Sequence, residues 1–289
     1  MQQSSVSKMS RTVLQTPDIR AVRDRVEELL EVYDLRDQIG SKFVDPDFNP
    51  VDGDHSLLYK EQDIVSEEEA RIINNLTWQR PEEISVKHDI IGFQQLNRDG
   101  NEATLDTLTP TELADFRRIS YGSVLENRWF LNAVSLVASE SRQLNLLTCE
   151  NEKELVAARK AGMYVFRFFK NYKPYYVIID DRIPTQEMES KEEVPYFARC
   201  RNPHLFWISL VEKAYAKLHG RYFALDGGST DEALEDLLGL PIENVFVGSP
   251  DTMTDKSTFY NSVKFLCYNH CILGCKIDHE LLLKGSQAV

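Results

Sequence analysis

Apolar residues recur at helical spacing from Ile19 through Val22, Val26, Leu29, Leu30 and Tyr33, with Arg, Glu and Asp filling the other face. That is the pattern of an amphipathic helix with one stripe to bury, here against the protein's own body in preference to a partner. Thr16-Pro17-Asp18 supplies a hydroxyl cap and a proline for the first turn, and Gly40 a stop, so the helix is assigned to 16–40. Residues 1–15 are polar and read as a disordered tail, and residues 41–62, rich in Asp, Pro and Gly, read as loop. Ser66-Glu67-Glu68-Glu69 fits a capping box that opens a short helix through Ile73. Few periodic stretches occur over 78–127, whereas Arg128 to Glu140 is largely apolar and predicts a buried helix.

Tyr164–Lys170 and Tyr175–Asp180 are aromatic and β-branched, with only Asn171–Pro174 between them, which predicts a hairpin. Pro203 to Leu218 predicts a strong helix with Phe206, Leu210, Ala214 and Leu218 on one face, ended by His219-Gly220. Ser229 to Glu232 caps another short helix over Ala233–Leu238. Helices mixed with an antiparallel hairpin make the fold class α+β.

Composition narrows the function classes. The 289 residues carry 33 Lys and Arg against 46 Asp and Glu, a net charge of −13. Nucleic-acid binding needs basic stripes to neutralise phosphates, so that class is excluded. No apolar run approaches the roughly 20 residues that span a bilayer, and the N-terminus lacks the apolar core of a secretory signal. The five cysteines (Cys149, Cys200, Cys267, Cys271 and Cys275) are an odd count and read as reduced thiols in a soluble, intracellular chain.

Several segments then fall in a telling order. They are Asp45-Pro46-Asp47-Phe48 with Ser56-Leu57, Trp78-Gln79-Arg80-Pro81-Glu82-Glu83-Ile84, Trp129-Phe130-Leu131-Asn132-Ala133, and Gly162 to Phe168 with Val177 to Thr185. Phe206-Trp207 and Leu210 to Gly220 come next, with Glu212-Lys213-Ala214-Tyr215-Ala216-Lys217 at their centre, then Ala224 to Gly228 and Glu235-Asp236. This ordered set, covering about residues 43–280, resembles the calpain family of cysteine proteases. The resemblance implies a papain-like fold, the first subdomain of the protease core, with a helix bundle and a small antiparallel hairpin. Residues 41–280 are assigned to that subdomain, and 281–289 to the start of the second or to a tail.

The family's catalytic residues do not carry over. A cysteine protease needs a thiolate, a base to form it, and donors for the oxyanion. The family's nucleophile directly precedes the Trp of its C-W helix; here that residue is Arg128, whose guanidinium stays protonated. The oxyanion Gln falls on Gly122, or on Tyr121 with one inserted residue. Laying the family's G-H-A-Y over Leu283 to Ala288 puts Ser286 at the His position. The family's calcium ligands fall on Arg118 or Ile119 and on Leu205, which offer no set of anionic oxygens, so no calcium is expected there.

Other constellations have plainer readings. Cys267, Cys271 and Cys275, with His270 and His279, offer zinc ligand types, but the spacing is not that of common zinc modules and core thiols are expected. Cys149 lies beside the acidic residues Glu150 and Glu152, which disfavour its thiolate. Asp180-Asp181 could act as an acid/base pair, but the expectation is a strand-end turn whose carboxylates satisfy backbone donors; Glu212 and Lys213 are expected to be structural. The acidic run Glu187–Glu193 reads as a solvated loop.

The function expected is therefore a non-catalytic calpain-like scaffold or protein-interaction module without cofactor. Family members with degenerate sites are common in protists at the cell cortex and in cilia and flagella, so the resemblance implies cytoplasmic, cytoskeletal or ciliary protein partners, microtubule proteins among them. The alternatives are half of a split calcium-dependent endopeptidase completed by a second calpain-like chain, or a regulator of active calpains.

Overall fold

The computed structural model describes residues 12–35, 41–50, 56–60, 63, 66–85, 95–96, 102–103, 119–120, 125–149, 151–244, 256–269 and 271–274. The chain divides into two units, Met1–Ile242 and Glu243–Val289.

In the first unit the chain opens with strand β1 (Val13–Gln15) and helix α1 (Ile19–Val32). Residues 13–15 were expected in a disordered tail; instead they pair antiparallel with the hairpin, Val13 opposite Val177 and Gln15 opposite Tyr175. The helix begins after Asp18, whose side chain accepts from the Arg20 amide, while Thr16 accepts from the Asp18 amide one step earlier. The cap is thus Asp18, not Thr16, because its carboxylate reaches the first-turn amide of Arg20 directly. Next comes α2 (Glu67–Asn74), opened by the expected Ser66–Glu69 capping box. Then follow β2 (Thr77–Gln79), the single turn α3 (Pro81–Ile84), and the two-residue strands β3 (Gln95–Leu96), β4 (Glu102–Ala103) and β5 (Ile119–Ser120).

The buried helix predicted from Arg128 is α4 (Arg128–Val137), followed by α5 (Ser141–Leu147), α6 (Lys153–Ala157) and a 3-10 turn to Ala161. The hairpin is β6 (Met163–Lys170) and β7 (Lys173–Asp180). Its loop is only Asn171-Tyr172, both at positive φ (50° and 60°), and Lys173-Pro174, expected in the loop, extend the second strand. Two such residues give the turn the twist that matches paired strands. β8 (Ile183–Glu187), β9 (Glu193–Pro195) and β10 (Arg199–Cys200) complete the strands. They form the sheets β2-β8-β9 and β10-β5, beside β1-β7-β6 and β3-β4.

The main helix is α7 (Trp207–His219), closed by Gly220 at φ 97°. It starts four residues later than its sequence predicts, because the Asn202 side chain accepts from the His204 amide and its carbonyl from Leu205, folding Pro203 into a turn. A 3-10 turn (Tyr222–Leu225) and α8 (Thr230–Leu238), capped by Ser229, end the unit.

Alternation along the hairpin sorts the core into two layers. Tyr164, Phe166, Phe168, Val177 and Ile179 join Phe130, Val134, Trp207, Leu210 and Tyr215 from α4 and α7. Met163, Val165, Tyr176 and Ile178 join Val22, Val26 and Leu29 of α1, with Leu155 and Ala158. The stripe of α1 therefore docks on the protein's own body, and the hairpin is covered on both faces. This mixed architecture is α+β, as the sequence implies.

The second unit contains α9 (Lys256–Tyr268), whose end is closed by the Asn269 and Cys271 amides bonding back to the carbonyls of Phe265 and Leu266.

Candidate functional site

The N-terminal end of α4 is held from four sides. Trp129 donates its indole N–H to the Leu225 carbonyl at 3.0 Å, and Gly228 lies so close to that ring that a Cβ there would collide with it. The Gly227 amide reaches the Glu126 carbonyl at 3.2 Å, and the Glu126 amide reaches the Asp226 carboxylate at 3.0 Å. Within the first turn, Phe130 stacks flat on Tyr215 of α7 at 4.0 Å. Asn127, just ahead of the helix, is buried and donates to Glu212 Oε1 at 2.6 Å; the Ala198 amide donates to Oε2 at 2.9 Å. Burial pushes the Glu212 carboxyl up to about 7, against these two bonds. Arg128 is the first helical residue and its side chain is exposed.

Beneath the other end of the hairpin lies a buried ionic network. Lys213, fully buried, donates to the Asp180 carboxylate at 2.5 Å and to the carbonyls of Asp180 and Arg182 at 3.0 and 2.6 Å. Arg182 returns its guanidinium to Asp180 at 2.7 Å, and the Asp45 amide donates to Asp180 at 2.9 Å. Burial opposes ionisation of Asp180, but Lys213 and Arg182 outweigh it and hold this carboxyl well below the usual range. Lys217, one turn on from Lys213, reaches Asp45 at 2.6 Å, the Ile178 carbonyl at 2.7 Å, and the hydroxyl of Thr12. Asp181 pairs with Arg80, which also donates to the Phe43 carbonyl at 2.9 Å; burial pushes Asp181 up to about 6 against the pull of Arg80. Asp180 is therefore a strand-end device that accepts from the backbone amides of Asp45 and Arg182, as expected, whereas Asp181 meets the Arg80 side chain; both carboxylates neutralise buried cations.

The residues singled out in the sequence have varied places. Ile119 pairs with Cys200 between β5 and β10, and Leu205 is buried in the main core. Arg118, Tyr121, Gly122, Glu150, His270, Cys275, His279 and Ser286 lie outside the described residues. Cys149 and Cys200 are buried, and burial pushes the Cys200 thiol up to about 12. Cys267 and Cys271 were expected as core thiols, but both are exposed, since α9 carries no buried residue to form a core around them. Of the acidic run, Glu187, Glu189 and Glu192 are exposed and Glu193 is partly buried in β9, whose pairing with β8 turns it inward.

Asn127, Lys217, Asp45 and Thr12 were not foreseen. A signal existed for the lysine: α7 is predominantly apolar, so a charge at position 217 is drawn into the core and needs counterions. Its partners lie 172 and 205 residues away, which no local pattern reveals.

Residues 43–287 match the family model of calpain family cysteine proteases. The chain belongs to the calpain family. Mouse Calpain-9 is 29% identical over 241 residues, which is 83% of this chain and 29% of that protein. A calpain of Schistosoma mansoni is 30% identical over 154 residues, 53% of this chain and 19% of its own length. Maize calpain-type cysteine protease DEK1 is 38% identical over 128 residues, 44% of this chain and 5% of that protein. The chain thus spans less than a third of the length of these calpains. Among the described residues, no helix is long and apolar enough to cross a membrane.

Proposed function

We propose that this calpain-family chain is a non-catalytic module that works by binding other proteins in the cytoplasm, as a scaffold on the cytoskeleton or in a cilium or flagellum. The observation that carries this reading is Arg128. It is the exposed first residue of α4, at the position before Trp129 where the calpain motif has its nucleophilic Cys. A guanidinium has no lone pair available for attack on a carbonyl and cannot be deprotonated near neutral pH. The supports of that helix end remain in place: the Trp129 bond, the close approach of Gly228, and the buried Asn127–Glu212 contact. A chain that keeps this framework without an attacking atom offers surface, not chemistry. A split protease completed by a second chain would still need a nucleophile at this helix end, which counts against that alternative. The setting itself rests on the family resemblance.

The test is in-cell crosslinking of the native protein followed by mass spectrometry of its neighbours. Crosslinks from the first unit to tubulin, axonemal or cortical proteins are the expected result. A dominant crosslink to one chain that carries the calpain His and Asn would overturn the scaffold reading.

A further inference from the structure

We propose that the contact joining Asn127, Glu212 and the Ala198 amide is a proton-linked switch at the N-terminal end of α4. Glu212 is 1% exposed on α7, and both its oxygens accept from neutral donors: Asn127 Nδ2 at 2.6 Å and the Ala198 amide at 2.9 Å. Buried carboxylates are ordinarily matched by a cation. No neighbouring cation offsets the burial of this one among the described residues.

The charged and titratable groups on the surrounding elements are engaged elsewhere or stay neutral. Lys213, the next residue on α7, donates to Asp180 at the end of β7 and to the Arg182 carbonyl ahead of β8. Tyr222, on the 3-10 turn packed against α7, is held protonated by burial and by the negative charges of Glu212 and Asp180. Cys200 on β10 keeps its proton at neutral pH, and its neighbour Arg199 is only partly buried. On β6, Arg167 lies over the Phe169 ring and Lys170 reaches Asp236 and Glu232 of α8. Arg128, which follows Asn127, is exposed on α4.

A carboxyl in this setting has two workable states. Ionised, both oxygens accept, which is the arrangement found. Neutral, the new O–H must donate, yet both present partners are donors. The Ala198 amide belongs to the backbone and cannot turn. The Asn127 side chain can, and rotation of its amide brings Oδ1 to receive the proton. The proton comes from solvent, and only the O–H bond forms. Asn127 is the residue from which α4 starts, so the proton state of Glu212 sets the hydrogen bonding of the helix end that presents Arg128 and Trp129.

Burial pushes this carboxyl up to about 7, so the exchange falls in the neutral range. Because the folded value lies above the unfolded one, the stabilisation is complete in acid and is lost as pH rises through about 7.

The experiment compares unfolding of the wild-type protein and Glu212→Gln across that range. Asp45 and Asp181, also pushed up by burial, are present in both, so the difference isolates Glu212. The wild-type unfolding constant is expected to rise, relative to the variant, by up to about tenfold per pH unit between about pH 5 and about pH 7, then level off. A difference that stays constant over this range overturns the proposal. If Glu212→Gln does not fold, the infrared carbonyl stretch of a buried protonated carboxyl in the native wild type decides. Asp181 contributes its own band, lost at about 6; a further band lost with a midpoint of about 7 supports the switch, and its absence, or its persistence above that pH, overturns it.

Discussion

Lys213 has no exposed surface, and its three N–H groups meet one carboxylate and two carbonyls. Removing it would leave Asp180 buried with Arg182 as its only remaining cation among the described residues. Loss of one member of such a pair costs about 3–5 kcal/mol, because the desolvated charge that remains is no longer offset. Lys213→Met is accordingly expected to lower stability by about that amount in denaturant titration. The pH dependence follows from the same contact. The folded Asp180 carboxyl lies below its unfolded value, so its contribution is present above the unfolded value and is lost as pH falls through the folded one. Wild-type protein is therefore expected to lose stability on acidification more steeply than Lys213→Met. Gly228 is a second single-residue case. Its Cβ position is occupied by the indole of Trp129, so Gly228→Ala must displace that ring and break the bond to Leu225. A loss of about 1–3 kcal/mol is expected, with a shift in tryptophan emission.

At the scale of elements, legibility followed the range of the interactions. The Ser66 capping box, the hairpin strands and the Gly220 stop depend on residues within a few positions of each other, and each is written locally. The pairing of Val13–Gln15 with β7 depends on a strand about 160 residues away, so a polar stretch read as a tail became an edge strand. The late start of α7 came from the Asn202 side chain, which competes for the first amides. The hairpin loop offers a direct check. Tyr172 sits at φ 60°, a conformation that disfavours side chains other than Gly and Asn. Tyr172→Gly is expected to raise stability by several tenths of a kcal/mol to about 1 kcal/mol, measured as an increase in Tm, since the exposed Tyr172–Glu235 contact contributes little.

For the whole molecule, two apolar layers on either face of one hairpin build a calpain-family fold around a helix that begins with Arg128. The family was legible because its motifs are the residues that pack: Trp78, Trp129, Trp207 and the Glu212 to Lys217 run all take part in core or ionic contacts. The network joining Thr12, Asp45, Asp180 and Lys217 was not, because it assembles only when distant segments meet.

The most direct test of the central claim is covalent labelling of the native protein, isolated with the chains that accompany it. It is treated in calcium with a peptidyl epoxide that captures activated cysteine thiolates, and the mass of this chain is then read. No calcium-dependent adduct on this chain and no cleavage of unfolded casein that the epoxide blocks are expected. An adduct on any cysteine of this chain, formed in calcium and accompanied by loss of casein cleavage, would contradict it.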